Sequence, residues 1–156
     1  MPAQASPTDV VGMSSTVLER PGDEETAKKL PGMARAWATE RAHHLGYEPN
    51  STLVFHLELL VSELVTNTVA HAFGAVGITL CRERSGALLL EVCDHSPKLG
   101  NTPRVVHHSS IEAATHTHGR GLLLVEKLST AWGAETHGTG HLVWSYPAPA
   151  EVEGGS

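Results

Sequence analysis

Residues 53–71, LVFHLELLVSELVTNTVAH, narrow what this chain can become more than any other stretch. At about 100° per residue the segment is apolar almost all the way round, which predicts a helix largely buried inside a domain. Three polar residues break that pattern. Glu63, Asn67 and His71 recur at i, i+4 and i+8 and share one stripe. A carboxylate, an amide and an imidazole in a row on a buried helix are costly unless something pairs with them. A ligand carrying phosphates and a cation would do so. The plainer alternative is a polar stripe turned to solvent.

The rest of the chain sets the frame for that helix. Its 156 residues give one domain as the default, large enough for one core. Apolar residues make up 40% and aromatic residues 4%, so the core has to be built from Leu, Val and Ala. A net charge of −6 argues against a broad nucleic-acid or anionic-membrane footprint. No apolar run is expected to span a bilayer. The opening MPAQASPTDVVGMSS lacks a basic region followed by an apolar stretch and does not read as a signal peptide, so a cytoplasmic location is expected. Residues 1–14 are expected to be disordered, 15–147 to form one domain, and 148–156 to be a disordered tail.

Within 15–147 the reading is a short edge strand at 15–19, a turn at Pro21-Gly22-Asp23, and a helix from about Pro31 closed by Gly46. Ser51 or Thr52 caps the apolar helix, which runs to about residue 73. Strands follow near 76–83 and 87–94, turning at Arg84-Ser85-Gly86 with Gly86 in the left-handed region. That turn pairs Leu80 with Leu90 and Ile78 with Val92. Cys81 and Cys93 then share a face but lie roughly 10 Å or more apart. A disulfide needs Cα atoms closer than about 7 Å, so two reduced thiols are expected. Residues 95–118 read as a long loop, 122–129 as a helix, and 131–137 and 141–146 as a closing hairpin. Hairpins outnumber crossovers, which predicts an α/β two-layer sandwich with a mixed, mostly antiparallel sheet and three helices on one face.

Two further segments carry chemistry. Asp94, in Val92-Cys93-Asp94-His95-Ser96-Pro97, ends an apolar strand, where a carboxylate can accept an exocyclic amine; a simple loop cap is the alternative. His118-Gly119-Arg120-Gly121-Leu122 opens a helix, where glycines let the backbone approach an anion and the exposed N–H groups favour phosphate. A plain glycine turn is the other reading. There is no G-x-x-x-x-G-K-[ST]. The eleven histidines, including His43-His44, His107-His108 and His116-x-His118, lack the spacing of a helical zinc motif.

Taken together, ELLVSELVTNTVAHA, EVCDHSP, HGRGLLLVEKLSTAWG and the closing GTGHLVW resemble the N box, the two glycine-box regions and the last strand of the GHKL ATPases. Within them the chain is similar to the short anti-sigma-factor serine/threonine kinases of actinobacteria, over about residues 15–147. The resemblance implies the Bergerat ATP-binding fold, with ATP and Mg²⁺ as cofactors. It implies Asn67 as Mg²⁺ ligand, Glu63 as general base, His71 near the phosphates, and Asp94 as adenine reader. Ser96, Gly119, Arg120, Gly121 and Leu122 are implied as nucleotide contacts, beside a mobile lid at about 97–118. It also implies phosphorylation of a STAS-domain anti-sigma-factor antagonist, alternate binding of a sigma factor, and a homodimer. One departure stands out. His116-Thr117-His118 occupies the place where sporulation-type kinases carry an arginine, with Arg120 as an open substitute. A non-catalytic nucleotide-binding partner-switch module is the alternative function.

Overall fold

A computed structural model describes residues 9–19, 22–71, 75–95, 104–106, 121–137 and 140–150. Six strands form one sheet: β1 (Val10–Leu18), β2 (Ala75–Glu83), β3 (Leu88–His95), β4 (Arg104–Val106), β5 (Ser129–His137) and β6 (Gly140–Pro147). Their order across the sheet is β1-β2-β3-β6-β5-β4, and all the described ladders are antiparallel. The helices are α1 (Glu24–Ala27), α2 (Leu30–His44), α3 (Thr52–His71) and α4 (Gly121–Leu128). The two-layer α/β sandwich expected from the sequence is therefore what forms. Helix α2 packs on β1 and β2, α3 on β2, β3 and β6, and α4 on β5 and α3. The three longer helices thus share one face, with α3 in the middle.

The β2–β3 hairpin has the register read from its turn: Leu80 opposes Leu90, Ile78 opposes Val92, and Gly86 has φ +94°. Alternation then sends Val76, Ile78 and Leu80 of β2, and Leu88, Leu90 and Val92 of β3, toward the helices. There they meet Leu57, Leu60, Val61, Leu64 and Val65 of α3 in the main core. Burying each Leu of this kind contributes about 1.5–3 kcal/mol. The opposite face holds a smaller cluster of Cys81, Leu89 and Trp144, with Val10, Ala131 and Tyr146 packed on it. Cys81 and Cys93 are both free thiols.

Helix ends follow local chemistry. The Ser51 hydroxyl accepts the Val54 N–H at 3.2 Å and caps α3. Pro31 stands in the first turn of α2, where its missing N–H costs nothing. At the other end of α2, Gly46 has φ +98°, the Tyr47 N–H reaches the Ala42 carbonyl, and the Gly46 N–H reaches that of His43. This is the paired closure that a left-handed glycine allows.

Four expectations change. Strand β1 begins at Val10, inside the stretch read as disordered and well before residue 15; its partner β2 supplies the ladder through Ser14, Ser15 and Thr16. Residues 1–8 lie outside the described part. The long loop read over 95–118 contains β4, which pairs with β5 from Arg104↔Thr136 to Val106↔Ala134. Ala148 is tied at both main-chain groups: its N–H reaches the Leu128 carbonyl at 2.8 Å, and its carbonyl accepts from His56 Nδ1 at 2.7 Å. Finally, residues Thr52–Ala70 of α3 are long and apolar enough by length and composition to cross a membrane. Here that apolar surface meets the sheet and α2.

Candidate functional site

The polar stripe of α3 can be placed from its neighbours. Ser62 accepts a hydrogen bond from Arg35 of α2 at 2.9 Å, and Glu58 accepts one from Thr39 of α2 at 3.5 Å. These two mark the flank of α3 that faces α2. At about 100° per residue, Glu63 and Asn67 fall on the other flank, across the buried line of Leu57, Leu60 and Leu64. That is the side of α4. Both are half-buried. Neither a fully solvated stripe nor a sealed one results. Glu63 and Asn67 sit at the margin of the core, where a polar ligand can reach them. His71 is the last residue of α3, and its side chain lies outside the described part.

The ladders show which ends of the elements meet. Three residues separate α3 from β2, and Val76 at the start of β2 opposes Asp94 at the end of β3. Cys93 opposes Leu142, and Gly140 opposes His137, so β6 starts and β5 ends at this same pole. Helix α4 runs straight into β5 at Ser129, and its Leu128 carbonyl is bonded to Ala148 at the opposite pole. Its N-terminus at Gly121 therefore points back toward Asp94. His56, eleven residues before Asn67, is bonded to Ala148, which puts the start of α3 at the far pole, roughly 16 Å away along the helix. One pole of the sandwich thus gathers the C-terminal part of α3 with Asn67 and His71, Asp94, the first residues of β6, and the start of α4.

Asp94 is 8% exposed, on the alternation that points Val92 and Leu90 at the helices. Its Oδ1 accepts the main-chain N–H of His141 at 3.2 Å. The β3–β6 ladder has its last described pair at Cys93↔Leu142, so the carboxylate takes a strand N–H just past that pair. A buried carboxylate can accept more than the one N–H described for Asp94, which suits a donor group on a ligand. A helix N-terminus leaves its first main-chain N–H groups without intrahelical partners and carries the positive end of the helix dipole, which suits an anion. Gly121 and Leu122 occupy the first two positions of α4. Ser96, Gly119 and Arg120, and most of the 97–118 segment with His116-Thr117-His118, lie outside the described residues.

Sequence reasoning missed the partner of Asp94. His141 is 47 residues away, and its contribution is a main-chain N–H, which leaves no signature in residue type. It also missed the clamp on α4, where the Trp132 indole N–H donates to the Glu126 carboxylate. A Glu six residues before a Trp, across a helix-to-strand junction, was the available signal.

A central buried helix carrying a half-buried acid and amide, a strand-terminal carboxylate and a helix N-terminus at one pole define an ATP-binding domain of the GHKL type. A family model described as a histidine kinase-like ATPase domain matches residues 24–145, and the chain belongs to that family. A comparison with curated proteins finds no match.

Proposed function

We propose that this chain is an anti-sigma-factor-like regulator that binds Mg²⁺-ATP and phosphorylates a serine or threonine of a STAS-type antagonist, holding a sigma factor in the alternate state. The observation that carries the reading is the convergence of Asn67, Asp94 and the α4 N-terminus at one pole, with Glu63 one turn behind Asn67 on the same flank. The residues fit the ligand. The Asn67 carbonyl is a hard oxygen donor of the kind Mg²⁺ takes alongside phosphates and water. When bound, the metal neutralises charge on the transferring phosphoryl group. Asp94 would accept from the adenine amine, and Gly119, Arg120, Gly121 and Leu122 would surround the phosphates with His71 and Ser96. Glu63 would take the proton of the attacking hydroxyl as its oxygen bonds to the γ-phosphorus and ADP leaves.

On this reading the protein works as a cytoplasmic homodimer. Incubation with γ-labelled ATP and a cognate antagonist is the test. Label on the antagonist, lost in Glu63→Gln with ATP still bound, supports transfer. Unlabelled antagonist with ATP bound rejects it.

One observation favours a second reading, a nucleotide-binding switch without turnover: His116-Thr117-His118 stands where an arginine is found in the sporulation-type kinases. In that case Asn67→Ala abolishes ATP binding, while Glu63→Ala leaves partner binding and release intact.

A further inference from the structure

We infer that the main-chain N–H of His141 decides which hydrogen-bond polarity residue 94 presents to a bound purine; this rests on the reading of Asp94 as the adenine contact. Oδ1 of Asp94 accepts the His141 N–H at 3.2 Å. Among the described residues no donor meets its other oxygen. The carboxylate is buried, and burial makes an unmatched donor or acceptor expensive. An ionised carboxylate is acceptor-only, so with one oxygen held by β6 the other must meet a donor. At the 6-position a 6-amino purine supplies that donor, whereas a 6-oxo purine places an acceptor there against the carboxylate and is disfavoured.

The same geometry makes an unusual demand on an amide at this position. In Asp94→Asn the carbonyl has to stay on the His141 N–H, because turning the amide NH₂ there sets donor against donor. The NH₂ group then faces the base and prefers a 6-oxo purine. A residue free to rotate would merely lose selectivity; a residue fixed from β6 inverts it. His141 is therefore a positioning residue acting through its main chain. In an antiparallel strand the N–H and C=O of a residue point to the same neighbour. The His141 N–H points at β3, so a proline at 141 removes the bond to Asp94 without removing a β5–β6 ladder donor.

The test is calorimetric binding of Mg²⁺-ATP and Mg²⁺-inosine triphosphate to the full chain, with thermal melts confirming that each variant is folded. The native chain should favour ATP, and Asp94→Asn should favour inosine triphosphate, each by about tenfold or more, the range of one hydrogen bond at a charged or buried site. Asp94→Asn combined with His141→Pro should bring the two nucleotides to within about threefold of each other, since the anchoring bond is then gone. If the native chain binds ATP but Asp94→Asn keeps the native preference, or loses preference without inverting it, the positioning role of His141 is wrong. If the native chain binds neither nucleotide, the adenine reading itself falls and takes this inference with it.

Discussion

Arg82 of β2 donates from Nη1 to the main-chain carbonyl of Leu45, the residue that closes α2, at 2.5 Å. Its guanidinium carbon lies 5.0 Å from the centroid of the Tyr47 ring, whose hydroxyl in turn donates to the Gly86 carbonyl at 2.9 Å. One side chain thus satisfies an orphan carbonyl at a helix C-terminus, places a cation at the negative end of the helix dipole, and stacks on an aromatic ring. The contact fastens α2 to the β2–β3 hairpin. Arg82→Ala should destabilise the domain by about 1–3 kcal/mol, read as a lower urea midpoint. A midpoint unchanged within error would mean that the clasp is decorative. Gly46→Ala should act in the same direction, because φ +98° strains any L side chain and its Cβ would meet the Arg82 guanidinium.

Gly133 lies under Trp144. A Cβ built there would come 2.5 Å from Cζ2, 2.7 Å from Cε2 and 2.8 Å from Nε1 of the indole. These are the fused, rigid part of the ring, so the whole side chain would have to move. Gly133→Ala should cost about 1–3 kcal/mol through overpacking and change the tryptophan emission. A melt matching the native chain would show that the indole shifts freely.

Glu91 supplies a pH prediction with a defined sign. Burial first, and the neighbouring Glu135 charge second, hold its carboxyl above the usual range. The folded state therefore binds this proton more tightly than the unfolded chain. The stability Glu91 contributes is fully present below the ordinary carboxylate pKa and is lost as pH rises through its raised folded value. Glu91→Gln, which keeps the shape without the charge, should raise the melting temperature at pH 7–8. The gain should shrink as pH falls and vanish near pH 4. An equal gain at every pH would assign the effect to packing.

The thiols should be slow to react. Burial, with help from Glu91 and Glu83, pushes the Cys81 thiol up to about 11, and burial also raises Cys93. Because the thiolate is the nucleophile, iodoacetamide at pH 8 should label the native chain far more slowly than the urea-unfolded one. Fast labelling of Cys81 under native conditions would contradict the burial of the cluster on that sheet face.

Much of this was written locally. The β2–β3 register followed from one turn and a period-two pattern, and the closure of α2 from one glycine, because both are decided within a few residues. The stripe of Glu63 and Asn67 was legible from helical spacing. Its position between core and margin depended on which flank α2 covers, a contact set by Arg35 and Thr39 far back in the chain. Strand β1 reads too short from the sequence because Val10 to Ser14 belong to an opening rich in Ser, Thr, Pro and Ala, a composition that favours disorder. Pairing with β2 overrides that preference, as the 3.0 Å contact between the Ser15 and Thr79 hydroxyls illustrates. The Arg82 clasp and the anchoring of Asp94 join residues 37 and 47 positions apart, and neither separation leaves a pattern to find.

The double tether of Ala148 has a practical consequence. A carbonyl can only accept, so His56 must donate from Nδ1, and together with the Leu128 contact this pins the end of the last strand against the first turns of α3. Whatever is fused beyond that point, whether a fluorophore, an affinity handle or a surface linker, departs from the end of the molecule remote from Asp94. Immobilising the chain by its C-terminal side therefore leaves the pole that carries Asp94 facing the solution.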